Sequence, residues 1–148
     1  MRSDRLIAVR AAFRYLVTTV FLATLVAIGF AGYGAFNAIH AADHHRVAKK
    51  TIENGFDVHG IIGGVIVIAL IALLVVALAG RLGRREVRAS GVLALLGVIQ
   101  GVLGSVSIDV PALGFVHALV ALAILGVSGW LTHKLGREQR QSATAAAA

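Results

Sequence analysis

Four long stretches of this chain carry no formal charge: the one between Arg14 and Asp43, then Val58–Gly80, Ala89–Ile108 and Val110–His133. A helix that crosses a bilayer needs about 20 mostly apolar residues. Backbone in lipid must satisfy its own polar groups, which a helix does within one segment. Helices are therefore predicted over about 14–40, 56–80, 88–108 and 111–134. The last two are separated by little more than Asp109 and Pro111. Proline in a first turn loses no hydrogen bond, so a tight hairpin is expected there rather than one helix far longer than the bilayer. The fold class that follows is all-α: an integral membrane four-helix bundle forming one domain over 1–140, with an Ala-rich tail at 141–148 expected to be disordered.

Only 14% of the residues are charged, against roughly 25% in an average soluble domain. That is too few to clothe a water-facing surface, and it excludes a soluble globular enzyme. The chain has no cysteine, which rules out disulfides, thiolate metal sites, c-type heme attachment and a cysteine nucleophile. The apolar run after the basic N-terminus is too long for a cleavable signal peptide, so the first helix is expected to stay in the protein.

The basic residues orient the bundle. With the N-terminus inside, Arg2, Arg5, Arg10, Arg14, Arg81, Arg84, Arg85, Arg88, Lys134, Arg137 and Arg140 lie on the cytoplasmic side, 11 of the 14. Only Arg46, Lys49 and Lys50 lie outside. The positive-inside rule then predicts cytoplasmic N- and C-termini in a bacterial plasma membrane. The net charge of +7 is thus an orientation signal. These clusters flank spans and have no folded basic domain behind them, so the bilayer is the expected partner and nucleic acid is not.

A weak internal repeat singles out two histidines. Val58-His59-Gly60 and Val116-His117-Ala118 each stand near the outer end of a span and precede a long aliphatic run. Two hairpins that both start inside are related by an axis along the membrane normal. Such an axis sets the second and fourth helices across from each other, so that His59 and His117 can face through the core. Glycines gather in the same half of the membrane: Gly60, Gly63 and Gly64 after His59, Gly101 and Gly104 beside Gln100, and Gly114 one turn before His117. Two readings fit them. Small residues let helices pack closely, or they clear space for a flat, bulky group such as a porphyrin, whose iron two opposed imidazoles can hold.

The other polar residues also carry alternatives. Intramembrane histidine is costly and marks function by default; for His59 and His117 the readings are ligation, a satisfied core pair, or a proton relay. His40, His44 and His45 either bind copper or zinc or are solvated residues of an outer loop reaching from about Ile39 to Asp57, where Asn54-Gly55 is a turn signal. Gln100 either bonds a cofactor edge or bridges helices. Arg46, with Lys49 and Lys50, is either a partner for heme propionates or a loop solubiliser. Tyr15 and Trp130 fit an inner aromatic belt.

The segments VHGIIGGVIVIAL and LLGVIQGVLGSVSIDVPALGFVHALVALAILGV resemble the second, third and fourth helices of one half of heme A synthase. The chain is also similar to an uncharacterised family of small four-helix bacterial membrane proteins. The resemblance to heme A synthase implies that His59 and His117 are axial ligands to heme on the outer side. It covers about Asp57 to Ser128. Phe56 stands where that family has a glutamate, and the family's loop cysteines have no counterpart here. The expectation is therefore a single-heme bundle rather than a heme hydroxylase.

The expected function is a small b-type heme protein, one protoheme per chain between the second and fourth helices, in electron transfer or heme handling. The competing reading is a cofactor-free accessory subunit of a membrane complex. A second copy of the chain or a larger assembly is the expected protein partner.

Overall fold

A computed structural model describes residues 2–44 and 49–147 of the chain; His45 and Arg46 lie outside them. Four helices follow in order: α1 (Arg2–Asp43), α2 (Lys49–Ala79), α3 (Arg84–Val106) and α4 (Ala112–Ala147). Each is long and apolar enough to cross a membrane. α1 packs on α2 and α4, and α3 packs on α2 and α4. α2 and α4 are therefore diagonal, as the two-hairpin pattern implies. The up-and-down order gathers both termini and the α2–α3 turn at one end, the termini end. The α1–α2 and α3–α4 connections form the loop end.

Buried positions explain the packing. On α1 they are Phe13, Val17, Val20, Thr24, Ala27, Gly34 and Ala41; on α2 they include Ile66, Leu70, Leu73 and Ala77. Steps of three and four, repeating every seven residues, form the seam by which nearly antiparallel helices interlock. Buried hydroxyls do not link the helices. Thr24, Ser90 and Ser128 each donate to the carbonyl four residues earlier, at 2.7–2.8 Å. The outward positions are just as apolar: Ile61, Ile68 and Phe115 are exposed on the bundle surface. A bundle that is apolar all round suits lipid on its outside.

The helices outrun the sequence-based bounds. α2 begins at Lys49, so Asn54-Gly55 is helix and not turn. A Cβ on Gly34 would sit 2.8 Å from the Gly55 carbonyl oxygen and 2.9 Å from the Phe56 ring. Here close approach of α1 and α2 overrides the local turn preference. α4 continues through the segment expected to be a disordered tail, to Ala147, in keeping with alanine's top helix propensity. The hairpin at Pro111 is as tight as expected: α3 ends at Val106 and α4 begins at Ala112, with the Pro111 carbonyl accepting from the Gly114 N–H at 2.9 Å.

α2 ends in a Schellman turn. Leu82 N–H bonds the Ala77 carbonyl and Arg81 N–H the Leu78 carbonyl, both at 3.0 Å, with Arg81 in the left-handed region at φ 51°. Gly80, just before it, lies against the Val9 side chain, where no Cβ fits.

Candidate functional site: a histidine layer in the bundle

His59 continues the core stripe of α2, seven residues from Ile66. His117 holds the matching place on α4, seven residues from Ile124. Their rings meet across the diagonal, with centroids 6.0 Å apart and planes at 65°. Two imidazoles bound to one ion, at about 2 Å per bond, have centroids about 6 Å apart. The spacing matches that geometry, and together with the angle it is also that of an edge-to-face ring contact.

His59 is oriented by α1. Its Nδ1 lies 2.8 Å from the Ala27 carbonyl oxygen. A carbonyl only accepts, so Nδ1 carries the proton and the neutral ring keeps Nε2 as its bare, basic nitrogen. An imidazole N–H held by a carbonyl is the arrangement that fixes a ligating histidine. Phe56, one turn earlier, meets the His59 ring edge-on with centroids 6.4 Å apart.

His117 is held by α3. The Gln100 amide nitrogen lies 3.1 Å from His117 Nε2 and donates to it. That bond places the His117 proton on Nδ1, which is buried without a partner; Gln100 Oε1 is likewise buried and unpaired. Each unpaired buried group costs about 1–3 kcal/mol. Gly104 seats the ring: a Cβ there would come within 3.3 Å of His117 Cε1 and 3.6 Å of Nδ1.

The glycines divide into two kinds. Gly97 is filled by Leu70, whose Cδ1 would lie 2.8 Å from an added Cβ, and Gly101 faces Val67 at 3.9 Å. These serve close packing of α2 on α3. At Gly60, Gly63, Gly64 and Gly114 an added Cβ would meet nothing within 4 Å. Gly60 and Gly64 are exposed, at the far edge of the face that carries His59. Gly63 and Gly114 are half-buried, one turn from His59 and His117 respectively.

The remaining site candidates lie apart. His44 Nδ1 donates to the His40 carbonyl at 2.9 Å and the two rings lie 4.3 Å apart, at the end of α1. Among the described residues no group of three or more His, Cys, Asp or Glu is placed to hold a metal ion. The Ala27 carbonyl is the functional group that sequence reasoning misses. A main-chain acceptor has no side-chain signature, and only the seven-residue step of the α1 stripe could have pointed to it. Comparison with protein-family models, curated proteins and solved structures finds no match to this chain.

Proposed function

We propose that this chain is a small b-type heme protein of a bacterial plasma membrane, both termini cytoplasmic, in which His59 and His117 would together hold one protoheme. The observation that carries the reading is the 6.0 Å spacing of two imidazoles across the bundle diagonal, where each stands on a core stripe. The residues present fit the group in three respects. His59 offers a bare Nε2 because Ala27 holds its Nδ1. The Gln100 amide keeps the His117 proton on Nδ1, so Nε2 is the nitrogen that would ligate. A Cβ on Gly63 or Gly114, each one turn from a histidine of the pair, would meet nothing within 4 Å.

Bound heme would supply a one-electron iron couple suited to electron transfer or heme handling. The chain's own part is orientation and exclusion. The Ala27 carbonyl fixes the His59 tautomer and raises its basicity. Gln100 holds His117 toward α3 and yields Nε2 when the ring turns to a ligand. The aliphatic residues below the pair keep water from the termini side.

One observation favours the cofactor-free alternative: His117 Nε2 already has a partner in Gln100. The two readings separate by colour. Detergent-purified full-length chain from heme-replete cells is expected to show a Soret band and, on reduction, a narrow α-band of six-coordinate low-spin heme b. Colourless protein from such cells would favour the cofactor-free subunit.

A further inference from the structure

At the termini end, away from the histidines, a groove of about 420 Å³ runs between α3 and α4, lined by Arg85, Arg88, Ala89, Val92, Val127 and Trp130. Its two ends differ chemically. Ala89, Val92 and Val127 give an aliphatic floor, with Ala89 next to Arg88, Val92 one turn further along α3 and Val127 facing from α4. Arg85 and Arg88, three residues apart on one face of α3, stand at the mouth. Both are exposed, and neither makes an ion pair among the described residues. The nearby carboxylates are engaged elsewhere: Lys134 Nζ lies 3.3 Å from Glu86 and 3.4 Å from Glu138. The Trp130 ring, 5.8 Å from that ammonium, forms a side wall.

We propose that this groove binds one anionic phospholipid, with the phosphate at Arg85 and Arg88 and an acyl chain along Val92 and Val127. Guanidinium pairs match phosphate oxygens in geometry and charge. Basic pockets between transmembrane helices are where acidic headgroups dock. A soluble anion would use only the mouth, whereas the apolar floor has value only for a ligand with a tail. The occupant is therefore a lipid and not free phosphate. The site is independent of the histidine layer, so it stands whether or not the chain carries heme.

The experiment is native mass spectrometry of the full chain in detergent, titrated with phosphatidylglycerol or phosphatidylcholine. One phosphatidylglycerol per chain is expected to survive activation that strips phosphatidylcholine. Arg85→Gln and Arg88→Gln should each weaken retention roughly fivefold, from about 1 kcal/mol per basic residue. Val92→Trp, which fills the floor, should reduce retention with both arginines intact. Arg10→Gln, a basic residue of α1, should change nothing. Equal retention of the two lipids, an equal loss in Arg10→Gln, or displacement by millimolar inorganic phosphate would overturn the proposal.

Discussion

In the termini half of the bundle, Phe13, Val17, Leu70, Leu73, Leu93 and Leu131 are each 1% exposed or less. In the loop half, the same stripes carry Ala27, His59, Gln100, Gly104 and His117, most of them half-exposed, with two buried polar atoms unpaired. Stripe spacing is the same in both halves, so backbone packing alone does not account for the change. One half is filled to fix the bundle. The other carries smaller and more polar side chains on the same stripes, although the termini half also buries Ser90, Ser128 and an unpaired Thr132 Oγ1. Glycine plays two roles along the bundle: Gly34, Gly97 and Gly129 are pressed by Phe56, Leu70 and Phe21, whereas a Cβ on Gly63 or Gly114 would meet nothing within 4 Å.

That contrast can be broken by substitution. The largest effect is expected in the filled half. Leu73→Ala should destabilise the bundle by about 2 kcal/mol, the low end of buried Leu→Ala losses, because lipid is as apolar as leucine and only the packing and cavity share is lost. Denaturant titration in detergent, followed by circular dichroism, measures it; a change under 0.5 kcal/mol would show that this half is not the anchor.

Gly97→Ala should cost about 1–2 kcal/mol in the same assay, since its Cβ would come 2.8 Å from Cδ1 of the fully buried Leu70, which must shift to admit it. Gly63→Ala should do the opposite. With nothing within 4 Å to meet, the helix gains up to about 1 kcal/mol of propensity in heme-free protein. Gly63→Leu should leave the heme-free fold intact and lower heme content, because its side chain enters the space beside His59. If Gly63→Ala destabilises as much as Gly97→Ala, the two kinds of glycine are one kind. The smallest effect is expected at Arg81, outside both halves: glycine there should add about 0.5–1 kcal/mol by relieving the left-handed conformation at φ 51°.

The four spans, the diagonal placement of α2 and α4 and the pairing of His59 with His117 were legible in the sequence. Uncharged length, helix order and a repeated Val-His step are properties a chain states directly. Three features were not. Asn54-Gly55 carries a turn signal, but the contact that keeps it helical is made by Gly34, 21 residues earlier. Gly60 and Gly64 look equivalent to Gly63 in a list of small residues, yet a rotation of about 100° per residue carries them out of the core. The third is the restraint on His59, made by a backbone oxygen of α1. Backbone groups occur at every position, so no residue type announces which one is used.

If His59 and His117 hold one ligand between them, hemin titration of the purified chain shows it most directly. The wild-type chain should bind one equivalent with a six-coordinate low-spin spectrum. His59→Ala and His117→Ala should each turn that spectrum high-spin or abolish binding, while His40→Ala and His44→Ala leave it unchanged. A low-spin spectrum and full stoichiometry in His117→Ala would contradict the assignment.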